Sequence, residues 1–106
     1  MLRELIPPGI EKTVVALCYD YERRAEAIRT HSVSRRTEMQ YRYLNYKLYG
    51  AACEAAGEDD ALLYLTDIGD GIGYANTELL DVSETTYKSI KREVKINIAR
   101  ALNLID

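Results

Sequence analysis

The chain has no tryptophan, no phenylalanine, two cysteines, two prolines and a single histidine among its 106 residues. Each scarcity removes a class of reading. His31 stands alone in a stretch that reads as a turn, with no nucleophile or carboxylate grouped around it, so a histidine-based acid–base pair has no basis. Cys18 and Cys53 lie far apart, each in an apolar-periodic segment with no Cys or His at ligand spacing; they read as free buried thiols. No apolar run approaches the roughly 20 residues that cross a bilayer. The amino-terminal Met-Leu-Arg-Glu-Leu-Ile-Pro-Pro-Gly lacks the apolar stretch and cleavage site of a secretory signal. The expectation is a cytoplasmic protein with no membrane partner, cofactor or metal, and not an enzyme.

A further scarcity is local. Between Leu48 and Tyr87 there is no Lys or Arg, while nine acids occur there, Glu54, Glu58, Asp59, Asp60, Asp67, Asp70, Glu78, Asp81 and Glu84. The flanks are cationic: Arg23 to Lys47 holds seven Lys/Arg against two acids, and Lys88 to Arg100 holds five against one. A net charge of −3 therefore conceals strong segregation, the pattern of a partner surface or of internal pairing.

What is present fits one globular domain. Hydrophobic residues make up 47% and charged residues 29%, enough apolar surface for a core without staples. All nine aromatics are tyrosine, whose ring suits a small core and whose hydroxyl suits its wet edge or a binding face.

Apolar residues recur at helical spacing through most of the chain. Residues 1–9 read as an arm, because Pro7-Pro8-Gly9 cannot be helix interior. From Ile10 a first helix carries Val14, Leu17, Cys18, Tyr21, Ala25 and Ile28 on one stripe and fades near Thr30-His31-Ser32. A second, roughly Ser34 to Ala56, has the row Tyr41, Leu44, Leu48, Ala52 and Ala55 with Met39, Tyr43, Tyr46 and Cys53 beside it. So wide an apolar arc predicts a central helix touching neighbours on two sides, so that residues 10–57 form a helical hairpin. Residues 58–106 are then an acidic segment plus a carboxy-terminal helix. Glu58-Asp59-Asp60 suit the start of a helix over Ala61-Leu62-Leu63-Tyr64-Leu65. Asp67 to Gly73, with three glycines, reads as a loop, and a brief helix is expected over Tyr74 to Leu80. Ser83 caps a last helix whose apolar row, Tyr87, Ile90, Val94, Ile98, Ala101, Leu102 and Ile105, runs to the end. The fold class expected is all-α, a small bundle of four to five helices.

The glycine-rich stretch fails as a calcium loop, because Thr66 and Ile68 fall where acids are required and Thr77 where a closing Glu is required. As a phosphate cradle it lacks a preceding strand and a lysine. The basic, tyrosine-interleaved stretch Arg35 to Tyr43, with Lys47 beyond it, is a candidate basic patch in which Arg35, Arg36, Arg42 and Lys47 could meet phosphates between tyrosines.

The strongest local signal is Leu80-Asp81-Val82-Ser83-Glu84-Thr85-Thr86-Tyr87-Lys88-Ser89. It resembles the turn and recognition helix of sigma-factor region-four-type helix-turn-helix proteins of phages and mobile elements, over about residues 73–102. Asp81 stands where that family commonly has Gly, and Asn76 and Thr77 where it has an aliphatic residue then Ala. The resemblance implies a carboxy-terminal helix-turn-helix-like unit in which Leu80 and Val82 pin the turn. Thr85, Thr86, Lys88, Ser89, Lys91, Arg92 and Lys95 would then contact duplex DNA, in a homodimer reading two half-sites. It implies a small DNA-binding transcriptional regulator.

Two other functions remain open. An acidic surface of Glu58, Asp59, Asp60, Asp67 and Asp70 could imitate phosphates and inhibit a host nucleic-acid-binding protein, as anti-CRISPR-like inhibitors do. Alternatively, cationic and acidic faces could pair between copies in a structural homo-oligomer.

Overall fold

A computed structural model describes residues 6–79 and 81–106, and among them only helices and turns occur. Among the described residues five α-helical segments follow one another, α1 (Pro8–Tyr19), α2 (Tyr21–Thr30), α3 (Arg35–Ala56), α4 (Ala61–Asp70) and α5 (Glu84–Ala101), with a 3-10 turn at Tyr74–Asn76 before α5. The all-α expectation holds. Residues 1–5, most of the expected arm, lie outside the described residues, as does Leu80.

Helix α1 begins two residues earlier than its apolar period suggested, at Pro8 itself. A proline in the first turn gives up an N–H that has no intrahelical partner anyway, and the Pro7 carbonyl accepts the Glu11 N–H at 2.9 Å. The single first helix expected from Ile10 to Thr30 is divided at Asp20. Arg24 explains the break. Its guanidinium, 2% exposed, donates to the Leu17 carbonyl at 2.6 Å and to Asn45 Oδ1 of α3 at 2.7 Å. A side chain that takes a backbone carbonyl within the ladder bends the helix there.

His31 closes α2 in the left-handed conformation (φ 52°, ψ 40°), and the Ser32 N–H reaches back to the Ala27 carbonyl. Ser34 caps α3 by accepting the Thr37 N–H at 3.2 Å. Helix α3 is central, packing on α2, α4 and α5. Leu48, Ala51 and Ala52 are buried in it, with Val14, Cys18, Tyr64, Leu65, Ile68, Tyr87, Val94 and Ile98 completing the core. The expected central helix with neighbours on two sides is what forms, although part of its apolar arc stays uncovered. Met39 (63% exposed), Tyr43 (52%) and Tyr46 (76%) lie on the side away from the core. Gly50 shares that open side, and none of the described residues lies within 4 Å of where its Cβ would be.

Helix α4 continues through Gly69 and Asp70, where the sequence pattern suggested a loop. The reason is a close crossing. A Cβ on Gly69 would lie 2.6 Å from the Tyr19 nitrogen and 2.8 Å from the Cys18 carbonyl carbon, so α1 and α4 touch backbone to backbone at a glycine. Gly71, at φ 70°, ends the helix instead.

Helix α5 stops at Ala101 and does not run to the end of the chain. Asn103 turns left-handed (φ 60°), the Leu104 N–H bonds the Ala99 carbonyl at 2.8 Å, and Leu104 and Ile105 fold back against the core. Helix α5 packs against α3, where Ala101 borders a groove lined by Tyr46, Gly50 and Glu54 and Asn97 donates to the Ala51 carbonyl.

Candidate nucleic-acid interface

The start of α5 is built on a buried polar anchor. Asp67 of α4 is 3% exposed, and its Oδ2 accepts the Tyr87 hydroxyl at 2.7 Å and the Thr77 hydroxyl at 2.6 Å. Burial, then the hydrogen bond to Asp67, pushes the Tyr87 phenol well above its usual value, so it stays a donor. The Tyr87 ring stacks on Tyr64 with centroids 5.5 Å apart and meets Tyr74 at 5.7 Å. Tyr74 in turn donates to the Val82 carbonyl at 2.8 Å. One tyrosine thus ties α4, the connecting segment and the first turns of α5 together.

The connecting segment differs from the helix expected over Tyr74 to Leu80. One 3-10 turn forms, and Thr77 is extended. Its hydroxyl donates to Asp67 and accepts the Leu79 N–H at 3.2 Å, bonds that draw the chain out of helical geometry. Leu79 is buried and Val82 is half-buried against the core. Asp81 holds φ 55°, the left-handed region that glycine enters freely and aspartate tolerates. Ser83 then caps α5, accepting the Thr86 N–H at 3.2 Å while its hydroxyl meets the Thr86 hydroxyl at 3.0 Å.

The residues expected to touch DNA divide into two groups. Thr85, Thr86, Lys88, Ser89 and Arg92 are exposed along the first half of α5. Lys88 forms an ion pair with Glu84 at 2.8 Å, and both partners remain largely in solvent, where such a pair is weak. Lys91 and Lys95 do not belong to this face. Lys91 donates to the Ile72 carbonyl at 2.6 Å and lies over the Tyr87 ring, and burial lowers its ammonium pKa. Lys95 pairs with Glu11 of α1 at 2.8 Å. Both sit one turn apart on the flank of α5 that leans on α1 and the Gly71–Gly73 segment, so their charges hold the fold.

The basic patch on α3 is partly neutralised as well. Arg42 pairs with Glu38 at 3.0 Å, and Glu38 also meets His31 Nδ1 at 3.0 Å. Those two partners hold the Glu38 carboxyl below its usual range. Lys47 lies 5.5 Å above the Tyr43 ring. Arg35 and Arg36 are exposed, with no carboxylate of the described residues within ion-pair reach. In the acidic set, Glu58, Asp59 and Asp70 face solvent and Asp60 is half-buried. Asp67 is removed from it by the buried hydrogen bonds above. Even helical spacing could not show this, because the polar partners that draw Asp67 inward come from residues ten and twenty positions away.

Cys18 and Cys53 are free thiols; Cys18 is buried as expected, whereas Cys53, also expected to be buried, is only half-buried. Among the described residues no group of three His, Cys, Asp or Glu side chains converges to hold a metal ion, and no helix is long and apolar enough to cross a membrane. No protein-family model, characterised protein or solved structure matches this chain.

Proposed function

We propose that the protein is a small regulator that binds duplex DNA by presenting the first half of α5 to the major groove. The observation that supports this most is the anchored, capped start of α5. Thr85, Lys88, Ser89 and Arg92 project from a helix whose first turns are held by the Tyr87–Asp67 bond and by the left-handed turn at Asp81. Recognition helices read base edges with residues of their amino-terminal turns, and rigid support from behind is what makes such contacts selective. Arg92 and Lys88 supply phosphate or guanine contacts, and Thr85 and Ser89 offer short hydroxyl contacts to bases. Thr86, engaged with Ser83, serves the cap before it serves DNA.

This reading assigns fewer cations to DNA than the sequence alone implied, because Lys91 and Lys95 are committed elsewhere. The salt dependence is correspondingly shallow. With Lys88 and Arg92 as the phosphate contacts, log K falls with log salt at a slope of about −2 per protomer. Fluorescence anisotropy with mixed-sequence duplex at several salt concentrations tests it. Binding at low salt, with Arg92→Ala lowering the slope by about 1 and Lys88→Glu abolishing retention, supports the reading. No binding at the lowest salt, or binding untouched by Lys88→Glu and Arg92→Glu, overturns it.

A further inference from the structure

We infer that a second copy of this chain docks on the exposed face of α3, with the two helices antiparallel about a two-fold axis. The inference is independent of whether α5 binds DNA. Along the open side of α3 the residues run Arg35, Arg36, Met39, Tyr43, Tyr46, Gly50, Glu54, and Glu58 follows just beyond the helix end. One end of the strip is cationic, the centre is aromatic and apolar, and the far end is acidic. Met39, Tyr43 and Tyr46 are three of the exposed large hydrophobics of the described residues, and Tyr, Met and Arg together are the composition of interface centres.

The order of charges selects the partner and its direction. A parallel copy would set Arg35 and Arg36 against their own counterparts. An antiparallel copy sets each cationic end against the acidic end of the other, which is the self-complementarity a two-fold interface requires. With the axis between Tyr46 and Lys47, Arg35 lies level with Glu58 of the second copy, Met39 with Glu54, and Tyr43 with Gly50.

Gly50 carries the rest of the argument. It sits within a 22-residue helix, where glycine is unfavourable, and none of the described residues of its own protomer lies within 4 Å of where its Cβ would stand. Packing within the chain therefore gives it no purpose. A cavity of about 250 Å³ opens over it, lined by Tyr46, Lys47, Glu54 and Ala101, and a second of about 450 Å³ is lined by Met39, Gln40, Tyr43 and Leu44. Tyr43 and Gly50 are two helical turns apart, so under the two-fold each Tyr43 ring enters the socket over the other copy's Gly50.

Sedimentation equilibrium from low to high micromolar concentration tests this on the full chain. Wild type forms a dimer. Gly50→Leu fills the socket and weakens the dimer about tenfold or more, while circular dichroism shows an intact and more stable fold. Two charge-reversed variants give the sharper readout. Arg35→Glu with Arg36→Glu is monomeric alone, as is Glu54→Arg with Glu58→Arg, and an equimolar mixture of the two forms a heterodimer. Both variants place charges that suit the α3 dipole, so neither harms folding. A wild type that stays monomeric throughout, a Gly50→Leu dimer as tight as wild type, or a mixture that does not pair would each overturn the inference. The Arg92→Glu variant, remote from this face, keeps the dimer, so a failure of DNA binding and a failure of dimerisation are read separately.

Discussion

The Tyr87 hydroxyl donates to the Asp67 carboxylate at 2.7 Å with both residues buried, linking α4 to α5 across twenty positions of sequence. Tyr87→Phe keeps the ring stacked between Tyr64 and Tyr74 but deprives a buried carboxylate of one of its two hydroxyl donors. The expected cost is about 1–3 kcal/mol of unfolding free energy, read from the urea midpoint at constant slope. An unchanged midpoint would show that the anchor does not bear on stability.

Glycine-to-alanine substitution should have opposite signs at two positions. At Gly69 the new methyl meets the Tyr19 and Cys18 backbone below 3 Å, so α1 and α4 must separate, at a cost of about 1–3 kcal/mol. At Gly50 the methyl meets none of the described residues within 4 Å, and Gly50→Ala should stabilise the isolated protomer by up to about 1 kcal/mol. Thermal melts of the two variants, at concentrations low enough to hold the protein monomeric, give the comparison.

Arg24 is buried, and none of the described carboxylates pairs with it; Asn45 Oδ1 and the Leu17 carbonyl are its acceptors. Burial lowers the guanidinium pKa, a mark of the desolvation it bears. Asn45→Ala removes one acceptor and also the donor to the Tyr21 carbonyl. A loss of about 2–3 kcal/mol is expected, larger than for alanine at exposed Gln40, which should change stability by less than about 0.5 kcal/mol. Equal effects at the two sites would refute the role assigned to Arg24.

Stability should fall on the alkaline side. Burial pushes the Cys18 thiol from an ordinary 9.0 to about 12, against smaller opposing effects of Arg24 and Lys95. Because the folded value is the higher one, its contribution is complete below pH 9. It declines by about 1.4 kcal/mol per pH unit as the unfolded thiol ionises first, until the folded thiol titrates near 12. Tyr64 and Tyr87, also raised chiefly by burial, steepen the decline above the ordinary tyrosine range. Lys91, lowered by burial, acts in the other direction and regains stability as pH rises through its folded value. Denaturant titrations of Cys18→Ala between pH 8 and pH 10 should show a flatter profile than wild type; a parallel profile would exclude Cys18 as the source.

Much of the helical content was legible because it is local. Ser83 caps the helix it was read to cap, α3 begins beside Ser34 as expected, and the rows through Leu48 and Ala52, and through Tyr87, Val94 and Ile98, are buried as their spacing required. The start of the candidate site was legible for the same reason. Thr85, Lys88, Ser89 and Arg92 fall opposite the buried row, and period alone sends them to solvent.

The misread positions share a cause. Gly69 looked like a loop residue, because its reason for being glycine is the backbone of Tyr19 fifty positions away. Lys91 and Lys95 looked like free cations until the Ile72 carbonyl and Glu11 came beside them. Met39, Tyr43 and Tyr46 looked like core, since composition records that a side chain is apolar and not whether a neighbouring helix covers it.

Sequence by itself determined that the chain is all-helical, that Ser83 begins α5, and that the rows through Leu48 and Ala52 and through Tyr87, Val94 and Ile98 turn inward, because capping and a 3.6-residue period act over a few neighbouring positions. Tertiary structure decided which charges remain available and which apolar face stays open. Those outcomes depend on groups that only the packing of α1, α3, α4 and α5 brings within a hydrogen bond's length of one another, or leaves apart.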